Sequence, residues 1–122
     1  MKFTIAGKEY ELKFGMKFIR QLDIANKIDY QGMELGMGLH LTYMGLLQYN
    51  PVVISDIIKA AVSHEENVKI RDVDEAIEQY AEDNDGLDEL FVDLKEELGK
   101  SKIVKATLKH IEQNARVQQP GV

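Results

Sequence analysis

Hydrophobic and polar residues alternate along residues 1–14 in the pattern of two strands that each bury one face. A two-residue loop at Gly7-Lys8 sets six apolar residues in opposed pairs: Ile5 with Tyr10, Phe3 with Leu12, and Met1 with Phe14. Glycine at the first loop position supplies the positive φ of a type II′ turn. Because an isolated two-stranded hairpin is marginally stable in water, its apolar face is expected to cover a core formed by the rest of the chain.

After Gly15 the apolar residues recur with the period of an α-helix. We predict five helices: one ending near Lys27, one over residues 39–49, one over residues 51–61, one starting at Asp72, and one over residues 87–98. The residues between the first two helices, Asp29 to Gly32, are interpreted as a loop. Apolar residues surround the whole wheel of the second helix, so it is expected to have little solvent exposure and to lie at the centre of the fold.

Capping residues predict where these helices begin and end. Asn50 followed by Pro51 is typical of an N-cap and a first helical residue. Asp72 with Glu75 three residues later predicts a variant of the capping box at the start of the fourth helix. Gly99 is expected to be the left-handed C-cap that ends the fifth helix.

These elements predict a mostly α fold, in which an N-terminal two-stranded β-hairpin packs on a compact bundle of about five helices. A further C-terminal helix, capped by Ser101, would carry a thin apolar stripe formed by Ile103, Val104, Leu108 and Ile111. We expect residues 1–99 to form a single globular domain, with the hairpin over residues 1–14 and helices from about residue 15. Residues 100–122 are expected to be a basic, weakly amphipathic and partly disordered tail.

The composition narrows the classes of function. The chain contains no cysteine, which excludes disulfides and thiolate chemistry and fits a reducing compartment. No secretory signal pattern is expected at the start, and the longest apolar stretch, residues 35–58, is interrupted by polar residues and is a poor membrane span. Residues 65–100 hold fourteen acidic and four basic residues, a local net charge of −10. Because nucleic-acid binding draws its affinity from neutralised phosphates, nucleic acid is not expected as a partner.

No group of residues predicts an active site. The glycine pair Gly36 and Gly38 lacks the further residues of a phosphate-binding motif and is interpreted as allowing close backbone packing before a helix. Each histidine stands alone, without a second histidine at zinc-ligand spacing. His40, inside the apolar second helix, is interpreted as a hydrogen-bonded core histidine. We therefore predict no catalytic residue, no metal site and no cofactor.

All five methionines lie in the first half of the chain, and four of them follow the hairpin: Met16, Met33, Met37 and Met44. Flexible thioethers line adaptable binding grooves, although filling of the core is the favoured interpretation here. If Met33, Met37 and Tyr30 are partly exposed, they would form an apolar patch of the kind that marks a partner-binding site.

Four segments of the chain resemble one known family: residues 7–15, residues 17–23, residues 36–39, and the Asn50-Pro51 break leading to residues 57–61. Together they resemble the tail assembly chaperones of long-tailed phages that infect Gram-positive bacteria. The similarity continues through Ile77 and Leu90-Phe91 in the acidic helices and covers roughly residues 3–98. It rests on the hydrophobic pattern and a few turn residues, since no catalytic signature is involved.

The resemblance implies a non-enzymatic protein that acts in the cytoplasm of the infected host and is absent from the finished virion. It would keep the tape measure protein soluble while the tail tube protein, a further candidate partner, polymerises round it. In such families a longer product is often made by ribosomal frameshifting near the end of the reading frame. The family has no established catalytic residues to carry over to this chain.

A chaperone of this kind needs apolar surface for its client and a charged remainder that keeps the complex soluble. The residues that would supply the apolar surface are Met33, Met37, Ile103, Val104, Leu108 and Ile111. Such surfaces also pair with each other, so self-association is expected when the client is missing. Two alternatives stay open: a structural tail completion or connector subunit that is retained in the virion, and a small regulatory module that binds another protein.

Overall fold

The computed structural model describes residues 1–25, 27–30, 33–36 and 38–117, and side chains within residues 1–25 and 38–113. In this part of the chain there are two β-hairpins and six helices. In chain order the elements are β1 (Lys2–Ile5), β2 (Lys8–Glu11), α1 (Met16–Ala25), β3 (Lys27–Tyr30), β4 (Met33–Gly36), α2 (Gly38–Leu47), α3 (Pro51–Ala61), α4 (Ile70–Asn84), α5 (Asp88–Lys100) and α6 (Lys105–Val117). The predicted fold class, a helical bundle with an N-terminal hairpin and a further C-terminal helix, is confirmed.

The N-terminal hairpin forms, but its predicted register is wrong by two residues. β1 and β2 are antiparallel with Phe3 opposite Tyr10 and Ile5 opposite Lys8, so the two loop residues are Ala6 and Gly7. Both have positive φ, 51° for Ala6 and 79° for Gly7, which is the requirement of a type I′ turn and not of the expected type II′ turn. Because side chains alternate with a period of two, the shift leaves every residue on its predicted face.

The apolar face of this hairpin covers the helices, as predicted. Phe3, Ile5 and Leu12 are buried in the main hydrophobic cluster. The ring of Phe3 lies 6.1 Å from that of Tyr80 on α4. The backbone N–H of Lys13 donates to the carbonyl of Ala61 at the end of α3, at 3.0 Å. The hairpin is thus attached to both α3 and α4.

A second hairpin occupies the segment that the sequence analysis interpreted as a loop. β3 and β4 are antiparallel, with Ile28 opposite Leu35 and Tyr30 opposite Met33. The loop interpretation is therefore wrong for Asp29 and Tyr30, while Gln31 and Gly32 lie outside the described residues. The first helix ends at Ala25, two residues before the predicted end.

Helices α2 and α3 are joined at Asn50-Pro51, where the predicted N-cap and first helical residue of α3 are confirmed. The side chain of Asn50 accepts a hydrogen bond from the backbone N–H of Val52 at 3.0 Å, which makes it the N-cap of α3. The expectation that α2 has little solvent exposure is only partly right, because Leu41, Met44 and Leu47 are exposed. His40 is also exposed, so its interpretation as a core histidine is wrong.

Two of the predicted caps are wrong. Helix α4 begins at Ile70 with Lys69 as its N-cap and without a side-chain capping bond, so Asp72 lies inside the first turn. Its carboxylate still lies near the positive end of the helix dipole, so an acidic residue is favourable at this position although the helix starts before the predicted cap. Helix α5 continues through Gly99 to Lys100 and its C-cap is Ser101.

The C-terminal helix packs on the same hydrophobic cluster as the rest of the chain. Val104, in the turn before α6, and Leu108 and Ile111 within it are buried. The hydroxyl of Ser101 donates to the carbonyl of Phe14 at 2.8 Å, which connects this turn to the end of the N-terminal hairpin. None of the described helices has the length and apolar character needed to cross a membrane.

Candidate binding groove

A groove of about 620 Å³ lies between the end of α2, α5 and α6. Its floor consists of side chains from all three helices that belong to the core: Leu46, Phe91 and Leu108. Three further apolar residues line it and are exposed, Leu47 at 37%, Val92 at 49% and Tyr49 at 59%. The groove is thus an extension of the hydrophobic core that reaches solvent.

Tyr49 is held in the groove by an unusual end to α2. The N–H of Asn50 donates to the carbonyl of Gly45 and the N–H of Tyr49 to that of Leu46, at 2.9 and 3.1 Å, which is the hydrogen-bond pattern of a Schellman motif. The left-handed residue of this motif is usually glycine, but here it is Tyr49, with a φ of 56°. Its ring contacts that of Phe91, with centroids 5.2 Å apart. A backbone position that disfavours large side chains therefore carries an exposed aromatic ring.

Gly99 lines the groove from the last turn of α5. Glycine disfavours a helix relative to alanine. A Cβ built on Gly99 would meet no other atom within 4 Å, so packing does not require glycine at this position. The backbone of α5 is consequently accessible from the groove.

The rim of the groove is richer in positive than in negative charge, unlike the chain as a whole. Lys95, Lys105 and Lys109 line it, and all three side chains are exposed. None of them takes part in an ion pair with another described residue. The acidic residues of the rim are Glu96 and Glu112.

A partly buried hydrogen bond connects two walls of the groove. The hydroxyl of Tyr43 on α2 donates to Oε1 of Glu112 on α6. Burial of the phenol raises the pKa of Tyr43 from 10.0 to about 12, and the hydrogen bond and negative charge of Glu112 act in the same direction. The carboxylate of Glu112 is therefore engaged within the protein.

A polar cluster joins α3 and α4 away from the groove. The hydroxyl of Ser55 donates to Oδ1 of Asp74 at 2.5 Å, and Nζ of Lys59 lies 3.2 Å from the same oxygen. The hydrogen bond from Ser55, supported by Lys59, lowers the pKa of Asp74, whereas burial raises the pKa of Asp56 nearby. The contacts join two helices and include no histidine.

Of the glycine pair Gly36 and Gly38, Gly38 is explained by close packing, as predicted, while the surroundings of Gly36 lie outside the described side chains. A Cβ on Gly38 would lie 2.3 Å from the carbonyl carbon of Leu22, so α1 and α2 touch through their backbones. The N–H of Gly38 donates to Oδ1 of Asp23 at 3.0 Å, a carboxylate of the protein itself. Among the described residues no group of three or more His, Asp or Glu is placed to hold a metal ion.

The residues predicted to bind a partner lie in two different environments. Val104, Leu108 and Ile111 are buried in the hydrophobic cluster, and Leu108 reaches the floor of the groove. Ile103 is exposed at 49%. Met33 pairs with Tyr30 across the second hairpin, but the side chains of both lie outside the described residues, as does Met37. The partner-binding role of these residues stays a prediction.

Most residues of the groove are not predicted as binding residues from the sequence. Leu47 belongs to α2, which is expected to have little solvent exposure because apolar side chains surround it, although one side of that helix faces the groove. Val92 departs from the apolar stripe of α5 and stands between a buried Phe91 and an acidic Asp93, which is a signal that could have been used. The direction of the Tyr49 side chain depends on a left-handed backbone, for which the sequence gives no sign.

Comparison with known proteins gives one positive result. Residues 2–113 match the model of a protein family described as "Phage tail assembly chaperone protein, TAC". The searches of curated proteins and of solved structures each found no match. The family match spans every element from β1 to most of α6 and includes all residues of the groove. The chain therefore belongs to the phage tail assembly chaperone family.

Proposed function

We propose that this protein binds the tape measure protein of its phage and keeps it soluble while the tail tube assembles. The proposal rests on membership of the tail assembly chaperone family, which implies binding to other phage tail proteins. Its mechanism is the masking of apolar client surface, and it includes no chemical step on the client.

The observation that carries this mechanism is the apolar groove between α2, α5 and α6. Single exposed apolar side chains are common on protein surfaces and need no explanation. Leu47, Tyr49 and Val92 instead line one concave surface together. An apolar segment that enters this groove would be removed from water over a surface continuous with the core. Burial of apolar area is the main favourable term in such binding.

The acidic helices suit the second requirement of a chaperone, solubility of the complex. The segment over residues 65–100, which spans α4 and α5, has a net charge of −10. A strong net charge of one sign keeps complexes apart in solution. The client would thus be held by one surface while another prevents aggregation.

Further parts of the proposal concern where the protein acts and what else it contacts. We place its action in the cytoplasm of the infected host and expect it to be absent from the mature virion. The tail tube protein is a further candidate partner. Self-association through exposed apolar surface is expected when the client is absent.

The test is co-expression of the tape measure protein with this chain, with measurement of the soluble fraction of the tape measure protein after centrifugation. The control partner is a helical protein of similar size and net charge. We expect a soluble complex only with this chain. If the tape measure protein stays insoluble, or is equally soluble with the control partner, the proposal that it is the client would be refuted.

A pair of matched variants locates the binding surface. Leu47→Asp with Val92→Asp places charge in the groove, whereas Val52→Asp with Ile70→Asp places it on exposed apolar residues elsewhere. Only the groove variant should reduce the soluble tape measure protein. If the groove variant behaves like the unmodified chain, masking takes place on another surface.

Mass spectrometry of purified virions separates the chaperone from the alternative of a structural subunit. We expect no peptides of this chain in virions that contain the tail tube protein. Their presence in amounts comparable with other tail components would favour a completion or connector subunit. A regulatory module would fail to co-purify with the tape measure protein in the co-expression experiment.

A further inference from the structure

We propose that the groove binds an amphipathic helix whose apolar side enters between α2, α5 and α6 and whose flanking residues are acidic. This inference rests on the proposed function in so far as the helix belongs to the tape measure protein. It adds the conformation and the charge of the bound segment, which the family does not supply.

The helical conformation follows from what the groove offers to a backbone. Its walls are three helices, and no described strand lines it, so no free strand edge is present there to pair with an extended peptide. A peptide buried against apolar side chains must satisfy its own N–H and C=O groups. A helix does so internally and presents an apolar stripe, which is how amphipathic helices bind in grooves.

The acidic flanks follow from the charge of the rim. Lys95, Lys105 and Lys109 have no carboxylate partner among the described residues, although the chain carries a net charge of −6. Of the two acidic rim residues, Glu112 accepts the hydroxyl of Tyr43 and keeps its charge, so three lysines against two carboxylates leave the rim with a net charge of +1. The three lysines, which form no ion pair among the described residues, would attract carboxylates that flank the apolar stripe and would repel basic residues.

Two residues that line this groove are unfavourable for the backbone conformation they adopt. Tyr49 occupies a left-handed position where glycine is preferred, and Gly99 occupies a helical position where alanine would fit. The first places an aromatic ring at the groove wall, and the second removes a side chain from it. Local choices that oppose stability are expected where a site requires them. Both choices favour close approach of a helix.

Fluorescence anisotropy with labelled synthetic peptides tests the inference directly. Three peptides of about 18 residues contain the same apolar residues. One carries glutamate beside the apolar stripe, one carries lysine there, and one is the glutamate peptide in scrambled order. We expect the glutamate helix to bind about tenfold more tightly than the lysine helix, with the difference shrinking as salt is raised. Equal affinity of all three peptides, or preference for the lysine helix, would overturn the inference.

Variants assign the binding to the groove. Gly99→Leu fills open space with a good helix former and should weaken binding of the glutamate peptide about tenfold without lowering the thermal midpoint. Tyr49→Gly should weaken binding while relieving the left-handed backbone. The control is Ile70→Ala, which shortens an exposed apolar residue on α4. Unchanged affinity in both groove variants would contradict the assignment.

Charge reversal tests the role of the rim. The triple variant Lys95→Glu, Lys105→Glu and Lys109→Glu should reverse the preference, so that the lysine peptide binds more tightly. The control reverses three exposed lysines elsewhere: Lys13, Lys17 and Lys69. A preference that changes equally in both variants would reflect total charge and would refute a specific rim. If the co-expressed tape measure protein is soluble but no peptide binds, this inference fails while the proposed function stands.

Discussion

The contact between α1 and α2 depends on the absence of a single side chain. At Gly38 a Cβ would lie 2.3 Å from the carbonyl oxygen of Leu22 and 2.5 Å from the backbone nitrogen of Asp23. These are backbone atoms, which cannot turn aside as the end of a side chain can. Gly45 is different, because the nearest atom to its Cβ position is a methyl carbon of Val53. The two glycines of α2 therefore tolerate substitution unequally.

Gly38→Ala should destabilise the protein by about 3 kcal/mol, because α1 and α2 must separate to admit the methyl group. Gly15→Ala is the control, since no atom lies within 4 Å of its Cβ position, and it should change stability by only about 0.5 kcal/mol. Urea unfolding of both variants measures the difference. Equal midpoints for the two would show that the helix contact relaxes easily.

At the residue scale, the sequence predicted caps whose chemistry is local and missed those whose position depends on packing. Asn50 was predicted correctly because its side chain bonds to a backbone N–H only two residues away. Gly99 was assigned to a C-cap on the strength of its residue type, but α5 continues past it. The left-handed C-terminal position that does occur, at the end of α2, is taken by Tyr49, and its ring contacts Phe91, which is forty-two residues away in sequence.

Strands and helices were predictable to different extents. The N-terminal hairpin and all six helices have patterns long enough to be recognised. The register of the hairpin was not, because loops at Ala6-Gly7 and Gly7-Lys8 give the same two faces. The second hairpin was missed although Ile28, Tyr30, Met33 and Leu35 alternate with polar residues and glycine. Its strands are as short as those of the first hairpin, but its alternating pattern extends only over residues 28–35, whereas that of the first hairpin extends over residues 1–14.

The attachment of α6 to α2 should depend on pH in the alkaline range. Burial raises the pKa of Tyr43 to about 12, so the protonated phenol stabilises the fold below the ordinary value near 10, and this stability is lost as pH rises toward 12. The loss should reach about 2 kcal/mol by pH 11.5. In Tyr43→Phe the alkaline decline should shrink, and stability at neutral pH should fall by about 1 kcal/mol because a hydrogen bond is lost.

Denaturant unfolding between neutral pH and about pH 11.5 measures this decline. Glu112→Gln is the matched control, since it keeps an acceptor for Tyr43 but removes the negative charge that helps to raise the pKa. Its alkaline decline should lie between those of the other two proteins. A residual decline is expected in every variant, because burial also raises the pKa of Tyr80. Identical curves for Tyr43→Phe and the unmodified protein would contradict the prediction.

The whole molecule combines an acidic face with a basic C-terminal segment and a core that reaches into that segment. The predicted boundary between a domain over residues 1–99 and a tail over residues 100–122 was based on this change in charge. Charge describes the solvated side of an element, whereas domain boundaries depend on the buried side. Val104, Leu108 and Ile111 are buried, so removal of the tail tests the boundary directly.

A chain that ends at Lys100 should lose cooperative thermal unfolding. Three buried aliphatic side chains are removed, each worth about 1.5–3 kcal/mol, which is comparable with the whole stability of a small domain. Circular dichroism melting measures the outcome. Cooperative melting near the midpoint of the full chain would support the predicted boundary at residue 99.

Point variants in the full chain separate packing from chain length. Leu108→Ala removes buried atoms and should cost about 3 kcal/mol. Ile103→Ala removes exposed atoms five residues earlier and should cost less than about 1 kcal/mol. A similar cost for both would mean that α6 contributes little to the core.

The junction at Asn50 limits how the binding groove can change shape. Its backbone N–H ends α2 by donating to Gly45, and its side chain begins α3 by accepting from Val52. Asn50 thus forms hydrogen bonds with both helices, so no flexible linker separates α2 from α3. Widening of the groove to admit a thicker client would come from displacement of α5 or α6. Length differences among related chains should accordingly fall outside residues 45–53.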